Sequence, residues 1–388
     1  MQVLYFSRNY STHDHRFLTA LAKTEHKVFF MCLEHRDHPL EDRPLPSEIE
    51  LVNWAGGNKA FTYANLPGYW VSLKKVIKGI EPDLIQAGPI QTSALLVALT
   101  GFQPLLSMSW GYDLLRDAEK DLFWRWATHY TLHHSAVMVG DCATIRQKAV
   151  SYGMDENAIV TFPWGIDLAH FKPVDRKLTA NNNHQPEAGN TLLAEGSQEP
   201  HIETFTILST RSWEEIYGVD VLARAFVMAA QQNEGLNLVM LGNGSQATIL
   251  RKIFLDGGVL ERVSFPGQVS YANLPRYYRS ADLYVSASHS DGTSISLLEA
   301  MACELPVLVS DIPGNREWVK EGTQGWLFPD GNVYALAQGI IRAVRERDHL
   351  PQLGRASRIQ VEQRADWSKN FPVLLRAYDQ VLMKHARR

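Results

Sequence analysis

Short apolar runs alternate along this chain with stretches of helical period. In the first half the runs are QVLYFS, HKVFFMCL, IELVNW, DLIQAG, PLLSMSW, AVMVG and IVTFPWG, and amphipathic stretches lie near 14–24, 68–80, 91–101, 115–134 and 142–152. The second half repeats the scheme with FTILSTR, LNLVMLGNG, VSFPGQV, DLYVSAS, PVLVSD and GWLF. Most of these runs are continuously apolar, as parallel strands covered on both faces must be. Repeated strand–helix alternation predicts two doubly wound α/β sheets, one per half. Between the halves, the stretch 175–203 is rich in Asn, Gln, Glu, Gly and Pro. It has no apolar period and reads as a flexible linker or surface loop, with a short helix around TLLAE as the alternative. The last stretch, 370–388, sets Leu374, Leu375, Tyr378 and Leu382 at the spacing of an amphipathic helix.

Length and charge narrow the picture. The chain has 388 residues, enough for two domains of ordinary size. A formal net charge of −4 argues against non-specific nucleic-acid binding. Three scattered cysteines, Cys32, Cys142 and Cys303, show no metal-ligand spacing and fit a reducing compartment. The first residues enter a strand directly, without a signal-peptide core, and no apolar run approaches the ~20 residues of a spanning helix. The expectation is a cytoplasmic protein, with peripheral contact at a membrane face left open.

The chemistry concentrates between Ser286 and Asn315, SASHSDGTSISLLEAMACELPVLVSDIPGN. Asp291 and Glu299 stand at either end of a small-residue turn that opens a helix. Gly292, Thr293, Ser294 and Ser296 offer backbone N–H groups and hydroxyls there. A strand, a polar turn and a helix N-terminus make an anion site, and carboxylates beside it accept hydrogen bonds from hydroxyls. That pairing suits a sugar nucleotide. The bland alternative is an ordinary strand–helix turn whose acidic residue favours the helix dipole.

The stretch DGTSISLLEAMACELPVL resembles the motif EGFGLVxLEAMAxGxPVI of family-4 retaining glycosyltransferases, glycosyl transferases group 1. The resemblance implies the GT-B fold: two doubly wound Rossmann-like domains facing a central cleft, with the C-terminal helix crossing back to the N-terminal domain. It implies an acceptor-side domain over 1–166 plus 370–388 and a donor domain over 167–369. It further implies that Asp291 faces the donor sugar, its arm one methylene shorter than the usual Glu, and that Glu299 holds the ribose. Ile295 falls within the same turn and is expected to line the nucleotide site with its neighbours.

Other segments extend the resemblance. In LSTRSWEEIYGVDVLARAF (208–226), Arg211 stands near the arginine that reaches the donor diphosphate, with Tyr217 where lysine is common. The alternative for Arg211 is a solvent-facing residue after a strand. Gly242 and Gly244 of LGNGSQ match a glycine turn lining the nucleotide cleft, although any tight strand–helix turn wants glycine. Gly267, Gln268 and Val269 match the segment that packs the base. Tyr277 and Tyr278 read as helix packing residues rather than base platforms. FPWGIDLAHFKP (162–173) is similar to a family hinge, with Trp164 in place of the usual Asn. SWGYDLL (109–115) is similar to an HGxD segment, with Trp110 in place of His, which leaves Asp113 as the expected polar group near the reacting carbon.

Two polar clusters remain open. Arg8, His13, His15 and Arg16 follow the first strand and read equally as a phosphate- or acceptor-binding loop and as a polar loop with an N-cap at Ser11 or Thr12. His129 and His133 lie four apart in a helix, but no glutamate follows the first and no third ligand is evident, so they read as ordinary helix residues. The Trp/Arg mixture of that helix suits a membrane surface or an inner helix face.

The expected activity is therefore retaining transfer of a sugar from a nucleoside diphosphate sugar to a glycan or lipid-linked hydroxyl, with no metal and no cofactor beyond the donor substrate. The departures at Asp291, Tyr217 and Trp110 keep a non-catalytic sugar-nucleotide or glycan-binding protein of the same fold as the alternative.

Overall fold

The computed structural model describes residues 1–34, 41, 43–58, 60–173 and 204–386. The polar stretch 175–203 lies outside the described residues. Seven apolar runs of the first half form β1 (Gln2–Ser7), β2 (Lys27–Cys32), β3 (Glu50–Leu51), β4 (Leu84–Gly88), β5 (Leu105–Met108), β6 (Val137–Gly140) and β7 (Ile159–Thr161). They make one sheet in the order β3-β2-β1-β4-β5-β6-β7, and every pairing is parallel. The second half supplies β8 (Phe205–Ser209), β9 (Leu236–Leu241), β10 (Val263–Gly267), β11 (Leu283–Ser286), β12 (Val307–Ser310) and β13 (Gly325–Phe328). Their order is β10-β9-β8-β11-β12-β13, again all parallel.

Parallel neighbours need crossovers, and the amphipathic stretches provide them. In the second unit, helices Val219–Ala230 and Val333–Arg345 pack on each other and on the sheet through Phe226, Ala229, Leu336 and Ile340, all buried. In the first, Leu4, Phe6, Ile85 and Leu105 of the strands are fully buried against helices Leu66–Ile80 and Leu95–Thr100. The stretch 115–134 is not one helix, as its pattern suggested. It breaks into Tyr112–Leu115, a single turn at Asp117–Glu119, and Leu122–His133. Asp121 causes the last break: its backbone is extended and its side chain accepts from Trp124 N at 2.9 Å, which starts a new helix.

The chain folds into two compact units. One comprises Met1–Gly165, Ser290–Ser294 and Ala365–Arg388, the other Ile166–His289 and Ile295–Arg364. The last helix, Trp367–Ala386, packs on β4, β5, β6 and β7. Leu374 and Tyr378 are buried there, and the Tyr378 hydroxyl donates to the Gln86 side chain of β4.

Candidate functional site

Chain order reverses between β8 and β11, which lie side by side while their crossovers leave in opposite directions. Loops leaving the C-terminal ends of two such strands splay apart and form the natural ligand site of an open α/β sheet. The residues there are those of the acidic motif and of the loop after β8. Glu299 sits on helix Ile295–Ala302, 5% exposed. Its Oε2 accepts a hydrogen bond from Tyr278 Oη at 2.8 Å, and that hydroxyl also lies 3.0 Å from Thr210 Oγ1. Arg211 Nη1 donates to Ser296 Oγ at 3.0 Å, and Tyr284 Oη reaches the same oxygen at 2.9 Å. The Arg211 guanidinium lies 4.0 Å over the Tyr217 ring. The aromatic ring at the usual lysine position thus holds the neighbouring cation by its face.

Glycine shapes this end of the sheet. At Gly218, with φ 56°, a Cβ would stand 2.1 Å from the Ala287 carbonyl oxygen, so only glycine lets helix Val219–Ala230 begin against the end of β11. Gly242 and Gly267 also have positive φ, and Gly242 N donates to Gly267 O at 2.8 Å. At Gly244 a Cβ would meet the Trp213 carbonyl at 2.5 Å. Gln268 and Val269 follow edge strand β10, two strands away from β8. Tyr278 is more than a packing residue: it is 1% exposed and its hydroxyl is bonded to the motif carboxylate. Burial and the Glu299 charge push its pKa well up, so it remains a donor. Nothing in the sequence separates it from Tyr277.

Asp291 belongs to the other unit, with Gly292, Thr293 and Ser294. That short segment is seated on Asp141, the residue after β6. Asp141 Oδ2 accepts from Thr293 N at 2.7 Å, and the Asp141 carbonyl accepts from Thr293 Oγ1 at 3.0 Å. A Cβ at Gly292 would lie 2.7 and 2.8 Å from the two Asp141 carboxylate oxygens, so glycine is required for the approach. Burial pushes the Asp141 pKa up to about 7; bonds from Thr293 and Cys142 oppose that rise, and the charge of Asp291 adds to it. Sequence reading missed Asp141, because a lone aspartate after a strand looks like any helix-capping residue.

The Asp113 carboxylate is enclosed by donors. It is fully buried, and its Oδ1 accepts from Ser109 Oγ at 2.6 Å, Trp110 N at 3.1 Å and Leu114 N at 3.0 Å, while Oδ2 accepts from Ile90 N at 3.0 Å. Burial still raises its pKa to about 6. Its work is to hold the Ser109–Leu115 turn to the start of the helix after β4. Trp110 and Trp164, the two tryptophans that replace His and Asn of the family pattern, meet edge to face with ring centroids 6.2 Å apart, and both contact Phe17.

In the loop after β1, Ser11 caps helix Thr12–Leu21 in a capping box with Asp14. Arg8 pairs with Glu34 at 2.9 Å, Arg16 donates to the Gly165 carbonyl, Tyr10 bonds His15, and His13 lies 5.3 Å from Trp110. His129 and His133 are exposed, and no third ligand joins them among the described residues.

Comparison with known proteins decides the family. Residues 197–360 match the family described as glycosyl transferases group 1, and residues 2–139 match glycosyl transferase 4-like. The chain belongs to the group 1 glycosyltransferases. It is 26% identical over 262 residues to the D-inositol 3-phosphate glycosyltransferase of Pseudarthrobacter chlorophenolicus, covering 66% of this chain and 59% of that one. Curated relatives of this group are matched over 41% to 59% of their own lengths. Among solved structures, sucrose-phosphate synthase of Thermosynechococcus elongatus superposes with a TM-score of 0.78 at 18% identity, covering 99% of this chain and 100% of that one. HepE of Anabaena, solved with UDP-glucose, superposes with a TM-score of 0.73 at 16% identity and full coverage of both chains. At such identities these structures speak for the fold, two Rossmann-like domains with parallel sheets, as in GT-B proteins.

Proposed function

We propose that this group 1 glycosyltransferase transfers a hexose, with retention, from a nucleoside diphosphate sugar to the hydroxyl of a glycan or lipid-linked acceptor, without a bound metal. The observation that carries this reading is Glu299, a buried carboxylate fixed by Tyr278 beside the Arg211–Ser296 pair at the switch point of the second sheet. An acceptor-only carboxylate held in place suits the two hydroxyls of a ribose. Arg211 carries the positive charge that a diphosphate needs, and the uncapped N-terminus of helix Val219–Ala230 adds its dipole. The relatives' names agree: one acts on an inositol phosphate, and a structural neighbour was solved with UDP-glucose.

In this reading, departure of the diphosphate leaves positive charge at the anomeric carbon and negative charge on phosphate. Arg211 and the helix dipole stabilise the leaving group, an electrostatic contribution of several kcal/mol in such sites. The leaving phosphate takes the acceptor proton as the acceptor oxygen bonds the same face of the sugar. Asp291 accepts hydrogen bonds from sugar hydroxyls, and Asp141 sets the backbone that carries it.

Calorimetric titration with UDP, GDP, ADP and their common sugar conjugates tests this, with Glu299→Ala as control. Micromolar binding of one nucleotide, lost in the variant, is the expected result, followed by turnover of its sugar conjugate. Binding without turnover of any sugar conjugate points to a non-catalytic sugar-nucleotide binder, and no binding at all overturns the donor site.

A further inference from the structure

We propose that the second unit holds a single neutral sugar ring in a cavity at the N-terminal ends of β11 and β12, the opposite edge of the sheet from the Arg211 loop. Asp282 and Pro306, which line the cavity, immediately precede those two strands. The space is about 290 Å³, at the small end for ligand pockets. Its charged lining is balanced, with Arg279 and Arg347 against Asp282 and Glu304. Arg347 and Asp282 stand 3.5 Å apart, and Asp282 Oδ2 also accepts from Thr206 N at 2.8 Å. Among the described residues, no hydrogen bond or ion pair engages the side chains of Arg279 and Glu304. A guanidinium only donates and a carboxylate only accepts, so the two together offer both partners that a sugar hydroxyl uses. Leu305, Pro306, Leu350 and Pro351 supply an apolar wall for the C–H groups of the ring. A small ion would meet repulsion there as well as attraction, whereas a neutral, hydroxyl-rich ring would not.

Glu304 supplies a second, independent observation. Helix Ile295–Ala302 ends with Leu305 N donating to Ala300 O at 3.0 Å and Glu304 N donating to Met301 O at 3.2 Å, and Glu304 takes the left-handed position with φ 58°. Glycine adopts that backbone without strain, and it stands there in the motif EGFGLVxLEAMAxGxPVI. Here a glutamate takes the place, and its side chain lines the cavity. Its backbone is also pinned from outside: a Cβ at Gly354 would stand 2.0 Å from the Glu304 carbonyl oxygen. A strained residue held in a fixed place points to a side chain in use. Burial pushes the neighbouring Cys303 thiol up to about 12, so it lines the cavity as a neutral group. A sugar bound here would tether a glycan to the second unit and raise its effective concentration. The site asks nothing of the transfer reaction and stands without it.

Saturation-transfer NMR on the full chain tests this, with the methyl glycosides of glucose, mannose, galactose and N-acetylglucosamine as probes. At least one of them is expected to receive saturation from the protein. Arg279→Gln should weaken its binding roughly 10- to 150-fold, the loss of one charge-assisted hydrogen bond. Glu304→Gly should weaken it too, while the thermal midpoint stays at or above that of the wild type, because glycine relieves the left-handed backbone. Glu299→Ala, which removes the proposed ribose contact, should leave glycoside binding in place. No saturation of any glycoside, or binding that survives both cavity variants, overturns the proposal. So does inorganic phosphate that displaces the glycosides and no longer binds in Arg279→Gln, since the cavity would then be an anion site.

Discussion

Tyr278 and Glu299 stand 21 positions apart in the chain and meet through a 2.8 Å hydrogen bond in the interior of the second unit. The bond holds the carboxylate in one direction, as the proposed ribose contact requires. Tyr278→Phe keeps the packing and removes only the donor. A buried acceptor that loses its partner costs about 1–3 kcal/mol, so nucleotide affinity should fall roughly 5- to 150-fold with little change in fold. Calorimetry on the folded variant checks this, and unchanged affinity would detach Glu299 from the donor.

Arg211 should report on the diphosphate. With the guanidinium bonded to Ser296 and lying over Tyr217, Arg211→Lys keeps a charge but loses the planar fork and stacking geometry. Arg211→Ala is expected to weaken nucleoside diphosphate binding by ~1.5–3 kcal/mol, while Arg211→Lys recovers only part. Titration with a nucleoside as well as its diphosphate isolates the effect: nucleoside affinity should barely move.

Asp141 predicts a pH dependence of stability. Its folded pKa, about 7, is above the unfolded carboxylate value, so the native state binds the proton more tightly. The stabilisation it provides is present below pH ~4 and is lost as pH rises through about 7. Asp141→Asn keeps an acceptor for Thr293 and cannot ionise. Between pH 5 and 8 the wild type should therefore lose up to a few kcal/mol relative to Asp141→Asn, seen as diverging denaturation midpoints. Asp14 and Asp113, each raised by burial to about 6, keep a residual slope in both proteins. Parallel curves would show that Asp141 is not the titrating group.

Gly292 should tolerate no side chain. Its missing Cβ is the space that the Asp141 carboxylate occupies, so Gly292→Ala must displace the Asp291 segment or Asp141 itself. Overpacking of this kind costs ~1–3 kcal/mol, and activity should fall further than stability because Asp291 moves with the segment. Pairing a thermal melt with a turnover assay separates the two, and wild-type turnover in the variant would remove Asp291 from the sugar site.

The thirteen strands among the described residues, and their assignment to two halves, were legible because buried parallel strands write themselves as uninterrupted apolar runs. Boundaries that depend on a single side chain were less so. Nothing in the period of 115–134 shows that Asp121 turns its carboxylate onto Trp124 N and starts a helix anew. The acidic motif, its glycines and Arg211 could be named because their spacing matches the family motif and they carry their chemistry locally.

What the sequence could not say is which distant groups those residues meet. Asp113 stood out as the remaining polar group near Trp110, and the structure surrounds its carboxylate with four donors, three of them backbone amides. Asp141 and Tyr278 looked ordinary and turned out to hold the two motif carboxylates' surroundings. By itself the sequence determined the strands, the parallel class of both sheets and the chemical types at the strand ends, because local period and residue chemistry act over a few neighbours. Only the tertiary structure decided which carboxylates accept from backbone amides and which from a buried tyrosine hydroxyl, because burial and hydrogen-bond partners come from residues tens to hundreds of positions away, joined by packing rather than by sequence.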